Sequence, residues 1–95
     1  MPYSVPLSRD LQGQGWKVKI RDRERLEPPH VTILRETRAW RIDLRSRSFM
    51  DDSPDPAEVP PALLAQIRAS WDTICTEWDA MYPTNPVSGG HDDQD

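Results

Sequence analysis

Ninety-five residues, 36% hydrophobic and 29% charged, make one small domain at most. A net charge of −4 argues against indiscriminate nucleic-acid binding, and no apolar run approaches the roughly 20 residues that span a bilayer. The single cysteine, Cys75, excludes an intramolecular disulfide and a multi-cysteine metal site.

Residues 1–15 carry Pro2, Pro6, Gly13 and Gly15 among polar residues and read as a flexible or loosely packed N-terminal segment. They lack the basic and apolar regions of a signal peptide, so the expected location is cytoplasmic. Trp16-Lys17-Val18-Lys19-Ile20-Arg21 alternates apolar and charged residues, the period-two pattern of a half-buried strand. Asp22 to Pro29 is charged and closes on Pro28-Pro29, which makes it a connection. His30-Val31-Thr32-Ile33-Leu34-Arg35 is rich in β-branched residues and predicts a second strand. After the polar link Glu36-Thr37-Arg38, Trp40-Arg41-Ile42-Asp43-Leu44-Arg45 alternates again as a third strand. So short a link predicts an antiparallel hairpin, because parallel neighbours need a long crossover.

Asp55-Pro56-Ala57-Glu58 has an acid at the cap and proline at the first helical position, the start of a short helical turn that Pro60-Pro61 interrupts. The main helix is predicted from about Pro61. Leu64, Ile67, Trp71, Ile74, Trp78 and Met81 fall on one continuous helical stripe, widened by Leu63, Cys75 and Tyr82. Pro83 ends it near Met81. Residues 83–95 read as a disordered acidic tail. The predicted fold is therefore α+β: a three- to four-stranded antiparallel sheet packed by one long C-terminal helix, with the domain proper over residues 16–82.

Period two sorts the strand residues onto two faces. Trp16, Val18, Ile20, Trp40, Ile42 and Leu44, with Val31 and Ile33 between them, form an apolar underside for the helix stripe. The other face collects Lys17, Lys19, Arg21, His30, Arg41, Asp43 and Arg45, which are the candidate binding residues, together with Thr32 and Leu34. One helix covers one side of such a sheet, so this basic face is expected to be open. A helix of about 21 residues would be about 31 Å long against about 20 Å for a six-residue strand. It should overhang the sheet and offer a surface for a second copy, unless Tyr3, Val5, Leu7 and Leu11 fold back over it. The charge also divides along the chain. Residues 1–50 hold eleven Lys/Arg against six Asp/Glu, whereas residues 51–95 hold one Arg against ten Asp/Glu.

No catalytic constellation, metal site or cofactor site is predicted. His30 would need partners for acid–base or metal chemistry, and the only other histidine is His91. Asp43 is a neighbour across the sheet at best. Cys75 sits in the helix stripe with no activating base nearby and reads as a small buried hydrophobe. The basic face lacks the interleaved aromatics that stack single-stranded bases.

Glu27-Pro28-Pro29-His30-Val31, followed by a hairpin strand and a helix ending in Trp78 and Tyr82, resembles a small bacterial family, domain-of-unknown-function family 4160. That family shows a Pro-Pro-His-x-His strand entry; here Thr32 stands at the second histidine. The resemblance implies a component of a two-gene, toxin–antitoxin-like pair. The expected function is a non-enzymatic interaction module that binds a protein partner. The alternative is a nucleic-acid-binding or RNA-acting protein using the basic face.

Overall fold

A computed structural model of the chain describes residues 3–21 and 28–87. The strands are β1 (Tyr3–Ser4), β2 (Trp16–Ile20), β3 (His30–Arg35) and β4 (Arg38–Asp43). They form one antiparallel sheet in the order β1-β2-β3-β4, so the α+β class and the N-terminal fourth strand are as expected. Val18 pairs with Ile33, Ile33 with Trp40, and Val31 with Ile42. This register assembles the predicted apolar underside, and all five side chains are buried. Trp16 and Trp40 meet across it with ring centroids 5.5 Å apart.

The Arg35–Arg38 pair leaves Glu36 and Thr37 as a two-residue link, and Glu36 takes φ 56° to close it. A side chain at this left-handed position is strained against its own backbone. Glu36→Gly is therefore expected to raise stability by about 0.5–1 kcal/mol, the relief of strain exceeding the entropy glycine loses on folding. A higher denaturant midpoint with an unchanged slope is the expected reading. A lower midpoint would mean that the Glu36 side chain holds the hairpin.

The N-terminal segment is not a loose lead-in. Beyond the β1–β2 pairing, the Val5 N–H donates to the Val18 carbonyl at 2.7 Å. Helix α1 (Arg9–Gly13) starts at Ser8, whose hydroxyl accepts from the Leu11 N–H. Gly15, at φ 91°, turns the chain into β2. Val5 and Leu11 are buried in the core, with Tyr3 and Leu7 packed against it. The domain recruits this segment because a small core needs the apolar cover.

The single long helix is divided. Helix α2 (Pro61–Ala69) and helix α3 (Trp71–Met81) meet at Ser70, which has φ −103° and ψ 11°. The Ser70 N–H is shared between the carbonyls of Gln66 at 3.2 Å and Ile67 at 3.1 Å, a tightened last turn. The Ile74 N–H still reaches the Ser70 carbonyl at 2.9 Å, so the helical period carries across the bend. Leu63, Ile67, Ile74 and Trp78 enter the core, while Leu64, Trp71, Cys75 and Met81 are only partly buried. With nine and eleven residues, the segments are each about 14–17 Å long, which removes the straight overhanging rod.

The C-terminal boundary also moves. The Trp78 indole N–H donates to the Asn85 carbonyl at 2.7 Å, and the Val87 N–H to the Asp79 carboxylate at 2.7 Å. Residues 83–87 thus belong to the fold rather than to a tail. Pro56–Glu58 form the predicted short turn, a 3-10 helix capped by the Asp55 side chain on the Ala57 N–H. The expected connection at 22–27, and the tail at 88–95 with His91, lie outside the described residues.

Candidate functional site

The sheet register puts Lys19, Thr32 and Arg41 in one row and Lys17 beside Leu34, on the face away from the predicted underside. The face is not open at its centre. His30 is 0% and Thr32 1% exposed. His30 Nδ1 lies 2.8 Å from the Pro28 carbonyl, and its ring stacks 5.5 Å from Trp78 at a tilt of 51°. It is a core residue rather than a surface ligand. The Thr32 hydroxyl is buried without a hydrogen-bond partner.

The remaining candidates are largely engaged. Arg41 forks onto Asp51, with Nε to Oδ2 and Nη2 to Oδ1 both at 2.8 Å. Asp43 accepts from the backbone N–H groups of Arg45 at 2.7 Å and Ser46 at 2.9 Å, so it holds the turn after β4. It is not a free acid beside His30. Arg45 donates to the carbonyls of Val87 at 3.0 Å and Pro86 at 2.9 Å. The Tyr82 hydroxyl donates to the Arg21 carbonyl, and the Arg21 side chain is exposed. Lys17 and Lys19 line an open groove of about 600 Å³ between β2 and the segment that follows β1. Arg41–Asp51 and Arg38–Glu58 both join the basic half of the chain to the acidic half. The charge split is therefore used within one molecule at these two points.

The Arg41 guanidinium holds the Asp51 carboxyl below its ordinary value, with burial opposing it. A depressed carboxylate stabilises the fold above its unfolded pKa of about 4, and that contribution disappears as pH falls through the lower folded value. The pair is about one-third exposed, so solvent screening limits it to about 0.5–1 kcal/mol. Asp51→Asn should lose that much at pH 7, and the gap to the parent should close on acidification below pH 4. A gap independent of pH would mean that packing, not charge, links the two residues.

A second recess was not legible in the sequence. Between β4, the loop that follows it and the α2–α3 bend lies a cavity of about 200 Å³, lined by Ile42, Phe49, Leu64, Ile67, Trp71, Arg47 and Arg68. The turn that Asp43 caps brings the chain back, the Asp43 N–H donating to the Ser48 carbonyl at 2.8 Å and Phe49 bridging to Ile42. Arg47 takes φ 63° in this turn, and its guanidinium carbon sits 5.4 Å from the Trp71 ring centroid. The bend at Ser70 leaves Leu64 and Trp71 half-buried at the rim. Cys75, also half-buried, has its thiol pushed up by burial and by Asp79 and Asp72, against the opposing pull of Arg47. It is a protonated thiol at neutral pH, a poor nucleophile. Asp43 gives the one sequence signal for the site, an Asp before a short polar loop.

Among the described residues no group of three or more His, Cys, Asp or Glu is placed to hold a metal ion. No helix among them is long and apolar enough to cross a membrane. In comparisons with known proteins, the chain matches no family model, no curated protein and no solved structure.

Proposed function

We propose that this chain is a cytoplasmic, non-enzymatic interaction module that binds a protein partner, as one component of a two-gene, toxin–antitoxin-like pair. The observation that carries the reading is the apolar recess at Phe49, Leu64 and Trp71, where half-buried side chains surround a cavity of about 200 Å³. Recesses of this kind, holding an aromatic beside arginine, are where binding energy concentrates at protein interfaces. The two-gene assignment rests on the resemblance of Pro28-Pro29-His30-Val31 to family 4160. A second copy of the chain remains the other candidate partner at the same surface.

The alternative is binding of nucleic acid through Lys17, Lys19, Arg21, Arg41 and Arg45. The bonding of Arg41 to Asp51 and of Arg45 to main-chain carbonyls counts against it, since such cations are less free to meet phosphates. The test is purification of the tagged protein from its native cells at moderate salt, with mass spectrometry and nucleic-acid absorbance on the same fraction. A stoichiometric protein partner, retained as salt is raised, supports the module. Nuclease-sensitive material that elutes steeply with salt would replace it with the alternative.

A further inference from the structure

The recess beside the α2–α3 bend is not merely apolar. Buried Ile42 and Ile67 line it with half-buried Phe49, and the two charged side chains that line it, Arg47 and Arg68, are both cations. This local sign runs against the net charge of −4 carried by the whole chain. A dry cavity of about 150 Å³ is enough to take benzene, so about 200 Å³ suits one ring or one branched aliphatic side chain.

Arg47 adds an independent observation. Its φ of 63° lies where glycine or asparagine sits at little cost and a longer side chain is strained. The strain is accompanied by a specific placement, with the guanidinium carbon 5.4 Å from the Trp71 ring centroid and both residues lining the cavity. Strained backbone held in place by its surroundings is a feature of ligand clamps. Arginine there offers a planar fork of donors to a carboxylate, while Trp71 keeps the fork oriented.

Resting on the proposed reading of this surface, we infer that the recess docks a segment of a partner protein that presents one bulky apolar side chain beside a carboxylate. The apolar group enters between Phe49, Leu64 and Trp71, and Arg47 with Arg68 receives the acid. The chain's own acidic end is a poor occupant. Residues 88–95 read Ser-Gly-Gly-His-Asp-Asp-Gln-Asp and contain no aliphatic or aromatic hydrocarbon side chain to fill the cavity. A nucleic-acid base is disfavoured because the recess is a small pocket in which Ile42, Leu64 and Ile67 stand beside Phe49 and Trp71, whereas base binding uses an open stacking platform along a basic groove.

Four small probes test this on the full chain by heteronuclear NMR, following the Trp71 indole and the Leu64 methyl signals: indole-3-acetate, 3-methylindole, tryptamine and adenosine monophosphate. Indole-3-acetate should shift both signals saturably and bind about tenfold more tightly than tryptamine, the margin expected of a charge-assisted contact. Arg47→Gly should abolish that preference while 3-methylindole still binds, and its melting temperature should not fall, because glycine suits this backbone position. Equal binding of the three indoles would overturn the carboxylate inference and leave the apolar docking surface standing. Binding of none would overturn both. Tighter binding of adenosine monophosphate than of indole-3-acetate would transfer the site to nucleic acid. A dimer by sedimentation that Leu64→Glu dissociates would make a second copy the occupant instead.

Discussion

Trp78→Ala is expected to destabilise the domain by about 3–5 kcal/mol, the range for removing a large aromatic from a packed core. Trp78 is 0% exposed and is the junction of three parts of the molecule. Its ring lies 4.3 Å from Tyr82 and 5.5 Å from His30, and its indole N–H holds the Asn85 carbonyl at 2.7 Å. Truncation would leave a cavity and remove the indole hydrogen bond to the Asn85 carbonyl, one of the contacts that tie the C-terminal segment to the fold. Small domains have only about 5–15 kcal/mol of total stability, so the variant should be partly unfolded at 37 °C. Thermal or urea unfolding followed by circular dichroism reads this directly. A loss below about 1 kcal/mol would mean that α3 does not close the core in the way described.

His30→Ala carries the second large effect, about 2–4 kcal/mol on the scale of large-to-small core substitutions. The ring is buried, bonded to the Pro28 carbonyl through Nδ1 and packed on Trp78. Removing it empties part of the interface between the start of β3 and the end of α3. The two substitutions touch the same contact, so their combined cost should be less than the sum. A double-mutant cycle measures that shortfall. Strict additivity, or a stability change within about 0.5 kcal/mol for His30→Ala, would return His30 to the surface role that alternation suggests.

Much of the fold was legible because it rests on periodic signals. Trp16, Val18 and Ile20 alternate with charges, as do Trp40, Ile42 and Leu44, and the register pairs them through Val31 and Ile33 as alternation requires. The helix stripe gave the C-terminal cover. The bend at Ser70 was silent because neither proline nor glycine marks it and the period of 3.6 persists through it. The two-residue β1 and five-residue α1 are too short to show any period, although Ser8 followed by Asp10 and Leu11 is a helix-start signal. Alternation placed His30 and Thr32 on a face but could not report that this part of the face is covered. Burial depends on which segments return over it, and that is tertiary information. The recess was hidden for the same reason: Arg47, Phe49, Leu64 and Trp71 come together only through a left-handed turn and a helix bend. Asp43 and Arg45 illustrate the limit from the other side. Their charges suggested a binding face, but Asp43 holds the turn after β4 and Arg45 holds the C-terminal segment at Pro86 and Val87.

The most direct measurement is a paired affinity purification in which Leu64→Glu is set against the double change Lys17→Glu with Lys19→Glu, each confirmed as folded by its thermal transition. Leu64 is at the rim of the apolar recess, and the two lysines line the groove beside β2. The account predicts that the Leu64 variant loses the stoichiometric protein partner while the lysine variant keeps it. Loss through the lysines with retention through Leu64→Glu would contradict it and place the working surface on the basic side of the sheet.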